Sequence, residues 1–262
     1  MGAVREIMLN IMLSGCCGSM GRAVTAFAYI RDDIRITAGI DREGRECKFP
    51  TFVSPFSFNG KVDVIIDFSS PAALPGLLEY AVSAKTPAVI ATTGLSEAHI
   101  ALIYKAAKEI PIFFSANMSL GINLLCELAK TAARVLGGTY DIEIVETHHA
   151  QKTDAPSGTA LMLADAISSE LERKPYYEYD RHLRRTKRPH DEIGIHSIRG
   201  GTAVGEHEII FAGYNETIKL SHCAQSKELF AAGAVNAAKF IQNKEPGLYG
   251  MSDMIGRKDA KK

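Results

Sequence analysis

Between Glu146 and Ala160 the sequence reads ETHHAQKTDAPSGTA. His148 and His149 are adjacent imidazoles, and Lys152 adds a full positive charge three residues beyond them. Asp154 and Pro156 announce a helix start, with Ser157, Gly158 and Thr159 in its first turn. Backbone amides at such a turn have no partner within the helix and attract an anion, and a glycine lets the ligand come close. Lys152 and this turn would hold a small carboxylate or phosphate. A histidine beside it would exchange a proton near neutral pH. The residues alone leave open which histidine does so. A metal is the competing use of a His-His pair. No Cys and no further His stands at ligand spacing, so no metal is expected.

A second constellation is GCCGSMG, with glycines at 15, 18 and 21 between an apolar run and a helical pattern. Glycines there allow a tight turn, close approach of a pyrophosphate and close packing of helix on sheet, and the helix N-terminus attracts the phosphates. Asp41 ends the next apolar run, where a partner for ribose hydroxyls belongs. Arg42 follows it. A carboxylate suits a free ribose diol and an arginine suits a 2′-phosphate, so the pair points to acceptance of both NADH and NADPH. ATTG at 91–94 and SANMS at 115–119 lie just past two further apolar runs, the edge at which ligands of open α/β sheets bind.

These residues need a frame. Runs at Ile7–Gly15, 34–41, Val62–Ser69, Thr86–Gly94 and Pro111–Asn117 read as buried strands. They alternate with helical patterns, one of which carries Pro75 in its first turn and another a Ser96 cap. Such alternation predicts a doubly wound parallel sheet. Past Gly121 a long helix, a strand over Tyr140–Glu146 that breaks at His148-His149, and another helix follow. Residues 173–191 are polar, and the basic run 181–188 reads as a solvated loop. IGIHSIR, VGEHEIIFA and ETIKLSHCA then form three strands, the last two joined by a GYN turn, so a mixed or antiparallel second sheet is expected. A final amphipathic helix closes the pattern.

Bulk properties narrow the partners. The 262 residues, 46% of them hydrophobic, suffice for one large or two modest domains. Lys plus Arg and Asp plus Glu are 30 each, which gives no support for nucleic acid or an acidic membrane as partner. Cys16, Cys17, Cys47, Cys126 and Cys223 form no CxxC pair and read as reduced thiols in the cytoplasm. The MGAVRE start has Glu6 where a myristoylation signal needs Ser or Thr. The run behind it reads as a first strand rather than a signal peptide. No run is long enough to span a membrane.

GCCGSMGR, DFSSP, ATTG, SANMSLGIN, ETHHAQKTDAPSGTAL, SIRGGTAVGEHEIIFA and GLYGMSDMI stand in the order seen in 4-hydroxy-tetrahydrodipicolinate reductases, formerly called dihydrodipicolinate reductases. The sequence resembles that family over nearly its whole length. The resemblance implies a Rossmann-like doubly wound sheet plus a second α+β domain with a mixed sheet. Residues 1–119 and 229–262 would be the dinucleotide-binding domain, and 120–228 the substrate-binding and oligomerisation domain of a homotetramer. It implies reduction of a cyclic dicarboxylate by NADH or NADPH, with loss of water, in the diaminopimelate route to lysine. His148 would be the proton donor/acceptor and Lys152 a second donor facing a substrate carboxylate, with His149, Ser157, Gly158 and Thr159 binding substrate. Gly15, Cys16, Cys17, Gly18, Ser19, Met20, Asp41, Arg42, Ala91, Thr92, Thr93, Ser115, Ala116, Asn117 and Met118 would line the dinucleotide. Ser19 stands where the family often carries Lys or Arg, Ala91 where it often has glycine, and Ser70 where some members have arginine.

Overall fold

The computed structural model describes residues 8–45, 47–182 and 184–255. Ile7, the MGAVRE start and Leu183 of the basic run lie outside the described residues. The chain divides into two compact units, Met1–Ser119 with Lys227–Lys262, and Leu120–Ser226.

The first unit begins with β1 (Leu9–Ser14), α1 (Ser19–Tyr29), β2 (Ile34–Ile40), β3 (Thr51–Phe52), β4 (Val64–Asp67), α2 (Leu74–Ser83), β5 (Ala88–Ile90), α3 (Glu97–Ala106) and β6 (Pro111–Phe114). The second unit holds α4 (Leu120–Leu136), β7 (Asp141–His148), α5 (Gly158–Ser168), β8 (Tyr176–Glu178), β9 (Glu192–Arg199), β10 (Gly205–Ala212) and β11 (Thr217–Ala224). The chain then returns to the first unit with α6 (Glu228–Ile241), β12 (Gly247–Tyr249) and α7 (Met251–Ile255).

The first sheet has seven strands in the order β12-β6-β5-β4-β1-β2-β3, and every pair is parallel. Its inner strands read as unbroken apolar runs because both faces are buried. Leu9, Ile11 and Leu13 pack on one face with residues of α1 and α6. Met12, Ile65 and Ile90 pack on the other with α2 and α3. Pro75 sits in the first turn of α2, and Ser96 caps α3 by accepting from the His99 N–H. The chain runs outward one way from β1 through β2 to β3, and the other way from β4 through β5 to β6. The β1/β4 boundary is therefore the switch point of the sheet.

The second sheet is mixed, in the order β11-β10-β7-β9-β8. β10 pairs antiparallel with β7 and β11, while β7, β9 and β8 run parallel. On β7 the even residues are buried and the odd ones half-buried. Ile142 and Ile144 join α4 and α5 in one apolar core. Among the described residues of this unit both helices α4 and α5 pack on that face, and none covers the opposite one, which carries Val145, Ile198 and Ile210.

One expectation needs correction. The strand does not break before the histidines: β7 continues through His148, which pairs in register with Arg199 of β9. The basic run 181–188 is a loop exposed at 182 and 184–187, as expected, but several of its guanidiniums have acidic partners. Arg188 donates to Glu143 at 2.9 Å and to Asp141 at 2.7 Å, and Arg181 donates to Glu192 at 2.6 Å. Arg184 pairs with Glu178. These pairs tie the segment to acidic side chains of the second sheet, most firmly at Arg181 and Arg188.

Candidate functional site

In a parallel sheet all strand C-termini lie along one edge. The expected dinucleotide residues follow β1, β2, β5 and β6, so Gly15–Met20, Asp41, Arg42, Ala91–Thr93 and Ser115–Met118 come together at the edge flanking the switch point. Gly15 has φ of +75°, and a Cβ there would stand 2.5 Å from the Phe68 carbonyl oxygen. At Gly21 a Cβ would stand 2.2 Å from the Gly15 carbonyl oxygen, so α1 can press against the turn only without a side chain. Gly18 caps α1 with no side-chain hydrogen bond to its amides. This bare helix start at a switch point fits a pyrophosphate.

Asp41 is buried. Its Oδ1 accepts from the Glu43 N–H at 3.1 Å and stands 3.5 Å from Arg45 Nε. Arg42 is exposed, touching only Glu43 at 3.3 Å among the described ion pairs. Asp67 ends β4 fully buried. It accepts from the Ser69 N–H at 3.1 Å and from Thr92 Oγ1 at 2.7 Å, and so ties the loop after β5 to the one after β4. Ser115 Oγ donates to the Asn117 carbonyl at 2.8 Å, and Asn117 Oδ1 accepts from the Ser119 N–H at 2.8 Å, which shapes the turn after β6. Cys16 and Cys17 are buried in the glycine turn. Burial, then their thiol neighbours, pushes both thiols above the usual range, so neither is a nucleophile at rest.

The second unit holds a buried carboxylate beside two histidines. The buried face of β7 is apolar at Ile142 and Ile144 and turns polar at Glu146 and His148. Glu146 is fully buried and saturated. Arg199 Nη1 donates to Oε2 at 2.9 Å and Nη2 to Oε1 at 2.7 Å, while the Ser157 N–H donates to Oε1 at 3.2 Å. Burial pushes its pKa up, but hydrogen bonds with Arg199, Ser197, His148 and Ser157 outweigh this and hold it lowered to about 2. His148 Nδ1 hydrogen-bonds to Glu146 Oε2. An ionised carboxylate can only accept, so Nδ1 carries the hydrogen and Nε2 is the atom that exchanges a proton.

Burial lowers the His148 pKa, Glu146 opposes this, and Lys152 and Arg199 add to the lowering. The ring rests neutral at pH 7. Nε2 lies beside Gly205 at the start of β10, where a Cβ would stand 2.9 Å from it. His207, two residues on, meets His148 edge-on with ring centroids 5.2 Å apart. Its Nε2 is 3.2 Å from Ser157 Oγ. Burial, then the neighbouring His148 ring, lowers the His207 pKa to about 4.

Ser157 is buried and caps α5, accepting from the Ala160 N–H at 3.2 Å. Its hydroxyl is thus held between the helix start and His207. Gly158 opens α5 with nothing within 4 Å of a built Cβ, so space remains beside the turn, and Thr159 follows. Lys152 is half-buried, and its Nζ reaches Asp154 Oδ1 at 2.7 Å. The loop bearing these residues is pinned to the β9–β10 connection. The His149 N–H donates to the Ala203 carbonyl at 2.8 Å, and the Gly200 N–H donates to the His148 carbonyl at 3.0 Å.

Glu146, Arg199, His207 and Asp67 were not among the residues expected from sequence. Strict alternation along DIEIVETH offers a signal for Glu146, since it falls on the same face as Ile142 and Ile144. Arg199 and His207 arrive only through strand pairing. Glu146, His148 and His207 present ligand atoms within 4.8 Å of one another. Both Glu146 oxygens already accept from the Arg199 guanidinium, however, which disfavours a cation beside them.

A doubly wound sheet with a glycine turn at its switch point, joined to a mixed sheet with a carboxylate-held histidine, defines a two-unit reductase of the Rossmann type. Residues 9–118 match the family model for the dihydrodipicolinate reductase N-terminus, and residues 121–255 match that for the C-terminus. The chain belongs to the dihydrodipicolinate reductase family. It is 50% identical over 249 residues to the 4-hydroxy-tetrahydrodipicolinate reductase of Caldanaerobacter subterraneus subsp. tengcongensis, covering 95% of this chain and 99% of that one. Against the enzyme of the same name from Clostridium botulinum it is 48% identical over 250 residues, covering 95% and 99%. Its fold is similar to dipicolinate-bound dihydrodipicolinate reductase from Paenisporosarcina sp. TG-14, with TM-score 0.79, 22% identity and coverage of 94% and 99%. A diaminopimelate (DAP) dehydrogenase from C. glutamicum is similar more loosely, with TM-score 0.55, 14% identity and coverage of 96% of each chain.

Proposed function

We propose that this chain reduces 4-hydroxy-tetrahydrodipicolinate to tetrahydrodipicolinate in the diaminopimelate route to lysine, using NADH or NADPH, with His148 and Lys152 handling the proton. Family membership across both units carries the activity. The buried Glu146–His148 pair beside the start of α5 carries the residue assignment.

Loss of water leaves a ring carbon conjugated with an imine. The nicotinamide, when bound, supplies the hydride that this carbon accepts. Negative charge then builds on the ring and a proton must meet it. Glu146 fixes the His148 tautomer and stabilises its charged form, so that Nε2 takes up a proton and hands it on. Lys152 exchanges Asp154 for a substrate carboxylate and serves as a second donor. Gly158 and Thr159 offer that carboxylate the first turn of α5, with His149 alongside, while Ser157 holds the turn in place. The Paenisporosarcina protein binds dipicolinate, and a dicarboxylate of that kind would suit Lys152 and the amides of the first turn of α5.

At the first sheet, Gly15, Cys16, Cys17, Gly18, Ser19 and Met20 would wrap the pyrophosphate, and Asp41 would accept from the ribose hydroxyls. Arg42, unburied and held only at the surface, is free to meet a 2′-phosphate. Ala91, Thr92, Thr93, Ser115, Ala116, Asn117 and Met118 would border the nicotinamide half. The homotetramer is supported by the helix-free face of the second sheet, where Val145, Ile198 and Ile210 await a cover. Family membership points to a cytoplasmic enzyme, and no helix among the described residues is long and apolar enough to cross a membrane.

The test is oxidation of NADH and NADPH with substrate generated by the preceding synthase. No synthase-dependent oxidation of either cofactor would overturn the activity. His148→Gln should lower kcat by about 10²-fold or more with cofactor affinity unchanged. Unchanged kcat would refute the proton role alone.

A further inference from the structure

The glycine turn carries a feature that dinucleotide binding does not call for. Cys16 and Cys17 are consecutive, and Cys47 arrives from the segment after Asp41. The three sulfurs form a triangle: Cys17–Cys47 3.3 Å, Cys16–Cys17 3.8 Å and Cys47–Cys16 3.9 Å. We infer that Cys16, Cys17 and Cys47 form a three-thiolate site for a thiophilic divalent ion of the zinc kind, fastening the segment after Asp41 to the glycine turn.

The geometry is that of a coordination face. Three sulfurs at about 2.3 Å from a tetrahedral ion stand about 3.8 Å from one another. Two of the three observed edges have that length. The shorter edge involves Cys47, the half-buried member on a loop, which has room to adjust. Space for Cys16 Sγ is built into the sheet: a Cβ on Gly39 of β2 would stand 2.7 Å from that sulfur. An entry path exists as well. Cys16 and Cys47 line a surface concavity with Arg22, Thr25, Tyr29 and Lys48. A fourth ligand would be water or a small molecule admitted by that concavity, as in zinc sites that keep one place open. Each thiol that ligates gives up its proton to solvent, so binding strengthens as pH rises. The sequence hides the set because Cys47 lies thirty residues from Cys17 and completes no short motif.

The ion would join two segments that the proposed function gives to the dinucleotide, the pyrophosphate turn and the chain leaving Asp41. Occupancy and dinucleotide affinity would then be linked, each changing the other by the same factor.

The test uses the full chain, reduced and stripped of metal. Cobalt(II) should give the thiolate charge-transfer and ligand-field bands of a tetrahedral site, saturating at one equivalent, and zinc(II) should bleach them. Cys47→Ser, checked for folding by circular dichroism, should weaken cobalt binding by more than about tenfold. The double variant Cys126→Ser, Cys223→Ser should bind as the native chain does. Absent bands, bands unchanged in Cys47→Ser, or bands lost in the double variant would overturn the site. The native chain gives a reading that needs no variant. One equivalent of zinc(II) should slow alkylation of Cys47 and leave that of the exposed Cys223 unchanged; equal rates at Cys47 with and without zinc would also overturn it. A last arm rests on the dinucleotide reading, as the cobalt arm does not. Zinc saturation should change the NADH dissociation constant by at least about fivefold in the native chain and not in Cys47→Ser. Equal constants in the native chain would remove the link and leave the metal site standing.

Discussion

His207 shows what a single side chain adds to this site and what it demands. The ring is buried, its Nδ1 has no hydrogen-bond partner among the described residues, and its pKa is lowered to about 4. His148 beside it is lowered too. Both rings therefore fold neutral, whereas the unfolded chain takes up protons near the usual histidine value of about 6.5. The unfolded state binds more protons in this window, so stability rises with pH. The contribution is present above pH 6.5 and is lost as pH falls toward 4. For the single proton on His207 the slope approaches about 1.4 kcal/mol per pH unit. Hydrogen exchange of the β7 and β10 amides, followed between pH 7 and 4, should show it, and His207→Gln should flatten it. A slope unchanged in that variant would mean His207 does not fold neutral. Glu146, held at about 2 against an ordinary value of 4.5, adds its own slope in the same direction once the pH falls below about 5, so the comparison with His207→Gln is what isolates the histidine.

Pairing between strands decides which residues flank His148, and here local pattern and long-range structure part company. β1 and the other inner strands are legible because burial on both faces demands unbroken apolar runs, and α3 because Ser96 and His99 form a capping box. β3, β8 and β12 have two or three residues each and exist through their sheet neighbours, so no pattern of their own announces them. The paired histidines suggest a break after Glu146, yet ladder bonds to β9 carry β7 through His148. Charge counting cannot see that Arg188 reaches back to Asp141 and Glu143. The same long-range pairing sets His207 opposite Glu146 and brings the start of β10 beside His148. Gly205 is then the test of the element. A Cβ there would stand 2.9 Å from Nε2, and the ring cannot swing away while Nδ1 is tied to Glu146. Gly205→Ala should lower kcat at least about tenfold, as expected when a proton-transferring atom is displaced by a fraction of an ångström. The NADH dissociation constant should be unchanged. Native kcat in this variant would mean that Nε2 is not the exchanging atom.

At the scale of the whole chain, two sheets gather two separate sets of candidate residues along a single sequence. The parallel sheet places its glycine turn, Asp41 and the loops after β5 and β6 on one edge, and the return of α6 completes the core beneath it. The mixed sheet places Glu146, His148 and the start of α5 together without any residue of the first unit. Under the proposed function each unit would carry its own set of ligand-facing groups, and each should respond to its own ligand. A ligand present at one hundred times its dissociation constant stabilises the form that binds it by about 2.7 kcal/mol. Amide exchange through openings that release the ligand should slow by about a hundredfold accordingly. NADH alone should slow exchange over the glycine turn and the first turn of α1 and leave residues 148–160 at their free rate. A planar dicarboxylate should do the reverse, protecting 148–160 and the β9–β10 connection, with protection weakened when Lys152 is replaced by Met. His148→Gln, which removes the proposed proton carrier and leaves the first turn of α5 intact, should keep both footprints while losing turnover. A dicarboxylate footprint on the glycine turn, or none at residues 148–160, would show that the second unit does not hold the substrate and would return the assignment of His148 and Lys152 to open ground.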